Sequence, residues 1–256
     1  MEQLSSFEPS APPPAGASSL LSRLLNVFVS PTEVIDEVKA SPPRNSNWAV
    51  PLLLSIIVGM IASLVIFSQP KVLQSVKDAQ EAQFEKMIKA GQMKRQDADR
   101  VEEMTMKFVK YGAVVGTFVA NVAFLFLAAA TVFLVGRFAF KSSINFMPVL
   151  EVTGLCSMIM LLGTVVATLL TVIYGSPGMT PGPILFVGHF DPQNRLHLIL
   201  SALNVMAFWH IAVLGIGLSR LSGASWLKST LWLFCLWALL TLGPALALSL
   251  IKHPQG

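Results

Sequence analysis

The distribution of charge divides the chain into long apolar stretches and shorter polar ones. Five stretches contain no Asp, Glu, Lys or Arg, and they cover residues 45–70, 111–136, 152–190, 196–219 and 229–251. Each is longer than the roughly 20 residues that a helix needs to cross about 30 Å of hydrocarbon. Because a backbone in lipid must satisfy its own hydrogen bonds, each stretch is predicted to hold a membrane-spanning helix. The sequence therefore predicts an all-α, polytopic integral membrane protein with a five-helix bundle.

The predicted spans cover residues 48–67, 109–135, 149–173, 197–219 and 226–250, within a membrane domain over 45–252. The connection 71–110 holds nine Lys or Arg and seven Asp or Glu, half of the formal charges. Apolar residues recur at helical spacing on both sides of Gly91. We therefore predict a charged helical hairpin that turns near Ala90 and Gly91 and is laced with salt bridges.

A second connection, residues 174–192, is rich in Gly and Pro and also apolar. Its helix-breaking residues are Gly175, Pro177, Gly178, Pro181, Gly182, Pro183 and Gly188. Such a composition forbids a regular helix. We predict a loop packed at the membrane surface, and a re-entrant selectivity element is the alternative.

The chain before the first span divides into a tail and an amphipathic segment. Residues 1–19 are mostly Ser, Ala and Pro and are predicted to be a disordered tail without the features of a signal peptide. Residues 20–44 are predicted to form a bent, amphipathic elbow, with Ser30 and Glu33 as a capping box. This elbow fits a membrane-surface anchor or a docking surface for a partner protein. The candidate docking residues are Leu21, Leu24, Leu25, Phe28, Pro31 and Ile35.

Composition and charge exclude some functions but leave the orientation open. Hydrophobic residues make up 54% of the chain and charged residues 12%, and the formal net charge of +4 fits anionic headgroups. Nucleic-acid binding is not predicted, because no basic-aromatic face accompanies the charge. An inner N-terminus satisfies the positive-inside rule for the short connections but puts nine basic residues of the hairpin outside.

Polar residues inside predicted spans are candidates for function, because they are costly in lipid. The candidate intramembrane polar site comprises Glu151, His197, Ser201, Asn204 and His210. For Glu151 we weigh a topological anchor near interfacial water against a proton or cation site. His210 fits a neutral histidine hydrogen-bonded between helices, and His197, Ser201 and Asn204 share an edge expected to face the bundle interior. No catalytic motif, metal-ligand spacing or cofactor fingerprint is present, so neither an enzyme nor a cofactor is predicted.

Small residues recur every four positions on three predicted spans. The stripe on the second span comprises Gly112, Gly116 and Ala120. Such stripes let helices approach closely in lipid. They are predicted to hold the bundle together, and a homo-oligomer is the alternative.

Two segments resemble a known family. They are Val29-Ser30-Pro31-Thr32-Glu33-Val34-Ile35, and Leu203 to His210 followed by Gly215-Ile216-Gly217-Leu218 and Ser222-Gly223-Ala224-Ser225. Both are similar to bacterial members of the Yip family, the Ypt/Rab-GTPase-interacting membrane proteins. The resemblance implies a five-helix membrane domain, a cytosolic N-terminus and a place in the bacterial inner membrane. The Asp-Leu-Trp-Gly-Pro stretch of eukaryotic relatives is absent before the first span.

Two functional hypotheses follow. The first is a non-enzymatic membrane scaffold or adaptor in which residues 20–40 recruit a membrane or cytosolic protein partner at the lipid bilayer. The second is a subunit of a small-solute, ion or lipid transport system. It rests on Glu151, the polar edge of His197, Ser201 and Asn204, and the loop 174–192.

Overall fold

The computed structural model describes residues 18–188, 190–192 and 194–251, and within these ranges it contains helices and turns but no strand. The helices are α1 Leu20–Val29, α2 Pro31–Ala40, α3 Ser46–Ser68, α4 Pro70–Lys89, α5 Arg95–Leu134, α6 Phe146–Tyr174, α7 Arg195–Ala202, α8 Val205–Ser222 and α9 Trp226–Ile251. A π-helical turn, Val135–Ala139, extends α5, and a 3₁₀ turn covers Pro183–Phe186. The all-α prediction is confirmed. Most of the predicted disordered tail lies outside the described residues.

Four helical segments are long and apolar enough to cross a membrane. They are Ser46–Ser68, Val115–Ala139, Phe146–Tyr174 and Val205–Ser222. The protein is therefore a multi-pass membrane protein, as predicted. The fifth predicted span coincides with α9, whose described apolar part is the shorter segment Trp226–Thr241. The count of five spans stays a prediction.

The fourth predicted span, 197–219, is interrupted in the structure. Helix α7 ends at Ala202 and α8 begins at Val205. The reason is local, because the Asn204 side chain accepts a hydrogen bond of 2.9 Å from the Met206 N–H and so caps α8. Asparagine at this position favours a new helix start over continuation of the old one. Within this predicted span, α8 alone is long and apolar enough to cross a membrane.

Helix α6 lies at the centre of the bundle. It packs against α3 on one side and α8 on the other, α5 contacts both α3 and α6, and α9 packs against α8. All residues from Val149 to Ser157 are buried as a result. The core is apolar around them, with Val149, Leu155 and Ile159 at most 1% exposed. Because lipid provides no hydrophobic drive between helices, this close packing is what holds them together.

The elbow lies at one end of this bundle, which we call the elbow face. Helix α1 contacts the bundle at α3 and α6, and α2 contacts it at α6 and α8. Ser30 ends α1 by donating its N–H to the Asn26 carbonyl at 2.7 Å, and it also precedes Pro31, the first residue of α2. Its side chain makes no capping hydrogen bond, so the predicted capping box does not form. The physical reason is that Ser30 is at once the C-cap of α1 and the N-cap of α2. Its backbone, at φ −130° and ψ 58°, is therefore unlike that of a usual N-cap.

Two connections lie at the other end of the bundle, the charged segment between α3 and α5 and the loop 174–192. Helix α4 ends at Lys89 and α5 begins at Arg95, with Gly91 at φ 69° between them. Only glycine adopts this left-handed backbone without strain, which explains the turn. Packing of the two arms as a hairpin stays a prediction. The loop 174–192 buries Met179 and Ile184, whereas Phe186 is 95% exposed.

Candidate functional site

A buried polar network joins the elbow to the first two turns of α3 and α6. The Asn47 amide donates from Nδ2 to Glu151 Oε2 at 2.6 Å, and its Oδ1 accepts from Arg23 Nη1 at 3.5 Å. Arg23 Nε lies 3.2 Å from Glu37 Oε2, which also accepts from the Ser18 hydroxyl. Arg23, Asn47 and Glu151 are each 1% exposed. The network thus connects α1, α2, α3 and α6 through one neutral amide.

Gly154 allows α3 to approach α6 closely enough for this network to form. A Cβ at position 154 would overlap the Trp48 Cα and lie 2.9 Å from the Asn47 carbonyl oxygen. Because the obstacle is backbone, it cannot turn aside as a flexible side chain would. Glu151 lies one helical turn before Gly154, so the same close approach places its carboxyl group beside Asn47.

Burial makes the network energetically sensitive to the loss of a partner. Taking charged groups out of water is costly, and hydrogen bonds must compensate for it. Glu37 is 39% exposed and so keeps one charged group of the network partly in water. Arg23 Nη2 is buried and has no partner among the described residues. Each remaining contact of Arg23 and Glu151 is therefore important for keeping the elbow in place.

A second set of polar contacts fastens α2 to the end of α8. Lys39 Nζ donates to the Arg220 carbonyl at 2.7 Å, and Arg220 Nη1 lies 3.7 Å from Asp36 Oδ2. Beneath them Val34, Ile35 and Val38 are buried against the bundle. Helix α2 is therefore attached to the bundle by exposed polar contacts and by a buried apolar face. Together with the buried network at α1, this attaches both helices of the elbow.

We expect the exposed contacts of α2 to contribute little to global stability. The double variant Asp36→Asn, Lys39→Met should lower the free energy of unfolding by less than about 1 kcal/mol, because exposed ion pairs are weak. Amide hydrogen exchange within α2 should nevertheless become faster, since its end is no longer fastened. Glu33→Gln removes an exposed charge from the same helix and serves as the control. Unfolding of the whole bundle in the double variant would contradict this assignment.

The structure separates the predicted docking residues into two groups. Leu24 and Ile35 are buried against the bundle, and Phe28 and Pro31 are partly buried, with the Phe28 ring 5.8 Å from that of Trp209. Leu21 and Leu25 are 66% and 57% exposed, and Val29, which continues their row, is 82% exposed. Helix α1 thus has two apolar faces, of which one packs on the protein and the other remains open.

The five predicted intramembrane polar residues have separate partners. His197 Nδ1 accepts from the Asp191 N–H at 3.0 Å, and the Ser201 hydroxyl donates to the Gly178 carbonyl at 2.8 Å. Both residues lie on the short helix α7 and bind the preceding loop instead of facing the bundle interior. Asn204 caps α8, as described above. Glu151 is buried in the network.

His210 is the one histidine of the set that lies inside the bundle. Its Nδ1 is 3.0 Å from the Cys156 carbonyl oxygen on α6, and its ring centroid is 5.7 Å from that of Phe124 on α5. Because a carbonyl oxygen can only accept, Nδ1 carries the hydrogen and the neutral ring keeps Nε2 as an acceptor. The predicted hydrogen bond between helices is present.

Sequence reasoning missed Arg23 and Asn47, which complete the network around Glu151. A signal was available, because Arg23 interrupts the run of leucines in α1 and Asn47 immediately precedes an apolar span. Within the described ranges, no three His, Cys, Asp or Glu side chains are grouped to hold a metal ion. The arrangement around Glu151 fits attachment of the elbow to the membrane helices.

Comparison with known proteins identifies one family. A family model described as the Yip1 domain matches residues 25–247, which is most of the chain. The matched region runs from α1, within the elbow, into α9. No curated protein and no solved structure matches the chain.

Proposed function

Because the chain belongs to the Yip1 family, we propose that it is a non-enzymatic integral membrane scaffold or adaptor that recruits or organises protein partners. The elbow is the proposed docking segment. The observation that carries this proposal is the open row of Leu21, Leu25 and Val29 on a helix whose opposite face is fastened to the bundle. A row held in place in this way loses little conformational entropy when a partner binds.

The topology that we propose follows the positive-inside rule at the elbow face. In this topology the chain has five spans, with α9 as the fifth, and the N-terminus and the elbow lie on the cytoplasmic side of a bacterial inner membrane. Near the elbow face the chain carries Arg44, Arg137, Lys141, Arg220 and Lys228. Excess basic residues in short connections favour the cytoplasmic side.

The two alternatives to a scaffold are a transport subunit and a membrane-surface anchor. A transport subunit requires its polar groups to line a common path, yet His197, Ser201 and Glu151 bond to separate partners. That separation favours the scaffold. A membrane-surface anchor would bury the row of Leu21, Leu25 and Val29 in the headgroup region and need no partner protein.

The row is tested by the double variant Leu21→Ser, Leu25→Ser in tagged, full-length protein. The protein is extracted in native lipid particles, and its co-purifying proteins are quantified by mass spectrometry. We expect a stoichiometric partner of the wild type to decrease at least about tenfold, because an interface loses most of its affinity with its central apolar anchors. Circular dichroism and the melting temperature should remain those of the wild type, since both side chains are exposed.

The matched control is Leu196→Ser, Leu198→Ser, which changes two exposed leucines on α7. It should leave recovery of the partner unchanged. Equal recovery from the elbow variant and the wild type would refute the docking role and favour the membrane-surface anchor.

A further inference from the structure

A cleft between α5 and α9 opens on the outer surface of the bundle. It has a volume of about 310 Å³ and is bounded by α5, α6, α8 and α9, and we call it the α5–α9 groove. Helix α9 packs chiefly against α8, which leaves this space beside α5. Leu127 and Leu240, on opposite walls, are each 68% exposed, so the groove is open toward the surrounding lipid.

Among the described residues, the lining of the groove is apolar apart from His210, Thr131 and the indole N–H of Trp237. Thr131 donates its hydroxyl to the Leu127 carbonyl at 2.8 Å and is satisfied within its own helix. His210 is 4% exposed, and its Nε2 is buried without a hydrogen-bond partner among the described residues. A buried acceptor without a donor is unfavourable, and in hydrocarbon water does not replace the missing partner. The groove thus has an apolar wall that includes His210, whose unsatisfied acceptor Nε2 is buried.

We propose that the α5–α9 groove binds a membrane lipid that carries an uncharged hydroxyl group on an apolar body. The apolar body occupies the groove, and the hydroxyl donates its hydrogen to His210 Nε2. A charged headgroup does not fit this site, because no Lys, Arg, Asp or Glu is among the described residues that line it. The volume is at the lower end of the range of about 300–1,000 Å³ for small-molecule sites, so one alkyl chain or a small ring system fills it.

His210 lies within the first two turns of α8. His210 is the sixth residue of α8, which places it about 8 Å from the start of that helix at 1.5 Å per residue. A hydroxyl on a diacylglycerol and a hydroxyl on an isoprenoid alcohol share the required chemistry. To reach Nε2 the hydroxyl must displace an apolar neighbour, and the Phe124 ring both contacts His210 and lines the groove. This site is independent of the proposed docking of a protein at the elbow.

The test uses the full chain in phosphatidylcholine vesicles and a long-chain alcohol that carries a photoreactive diazirine. The O-methyl ether of the same probe has the same apolar body but cannot donate a hydrogen bond. We expect the alcohol to label peptides of α5 and α9 at least fivefold more than the ether does. Equal labelling by the two probes on wild-type protein would overturn the proposal without any need for a variant.

Variants then locate the interaction. His210→Phe keeps a ring but removes the acceptor, and it should lower labelling by the alcohol to that by the ether. Ala207→Phe fills the groove and should remove labelling by both probes, whereas His197→Phe, outside the groove, should change neither. Each variant is compared at equal amounts of monodisperse protein, and preference for the alcohol that persists in His210→Phe would refute the role of Nε2.

Competition identifies the source of the hydroxyl. Unlabelled diacylglycerol and an unlabelled polyprenol are added in separate experiments at tenfold excess over the probe. Displacement by one of them identifies that lipid class, and displacement by both supports recognition of the hydroxyl alone. Displacement by neither would contradict a lipid site.

Discussion

Asn47→Leu should lower the free energy of unfolding of the protein by about 3 kcal/mol. The substitution removes the amide that donates to Glu151 and accepts from Arg23, and it leaves both side chains buried. Unpaired buried groups of this kind are among the most costly in a folded protein. The measurement is a titration with sodium dodecyl sulfate in mixed micelles, followed by tryptophan fluorescence.

Glu151→Gln is the variant to compare with Asn47→Leu. A glutamine oxygen accepts the same hydrogen bond from Asn47 Nδ2, so the loss should be below about 1 kcal/mol. Similar losses for the two variants would show that the charge of Glu151, and not the bridging amide, determines stability. A negligible loss for Asn47→Leu would contradict the network altogether.

Gly154→Ala should be at least as damaging, although it adds a single methyl group. The new Cβ would overlap the Trp48 Cα and force α3 away from α6, where the two helices are in close contact. Overpacking a filled interior costs about 1–3 kcal/mol, and we expect about 3 kcal/mol because the obstacle is backbone. Separation of the two helices also lengthens the Asn47–Glu151 hydrogen bond, and Trp48 fluorescence should report the change.

Gly116→Ala is a control with the same chemical change. Gly116 is exposed on α5, and none of the described residues, apart from its chain neighbours and the backbone of its own helix, has an atom within 4 Å of the position where its Cβ would be. Its effect should be below about 1 kcal/mol, because alanine is intrinsically the better helix former. A large loss there would indicate that this stripe of small residues packs against a second copy of the chain, the alternative raised by the sequence.

Asn47→Leu and Gly154→Ala also bear on the proposed function. The network holds α1 against α3 and α6, and the open row on α1 can present a fixed surface only while that attachment persists. Loss of Asn47 should therefore reduce partner recovery along with stability. The Leu21→Ser, Leu25→Ser variant separates the two effects, since it changes the exposed row and leaves the network intact.

Much of the architecture was predictable from the sequence, because lipid forms no hydrogen bonds with an exposed backbone. Charge-free stretches longer than about 20 residues have no alternative in lipid but helices that satisfy their own backbone. For the same reason α3 and α6 coincide closely with predicted spans, and the apolar segment Val115–Ala139 overlaps a third, 109–135. The interruption at Asn204 was not predicted, because apolar patterning does not report an asparagine cap inside an apolar run.

The candidate site was only partly predictable. The sequence by itself determined that Glu151 and His210 are polar groups within predicted spans, and that residues 20–40 form amphipathic helices. Only the tertiary structure decided that Arg23 and Asn47 reach Glu151, that α1 buries one apolar row and exposes another, and that His197 and Ser201 lie apart from the bundle interior. These outcomes depend on which helices touch, and that depends on backbone approach at positions such as Gly154. Periodicity determines the faces of each helix, whereas packing between helices determines which face meets which neighbour.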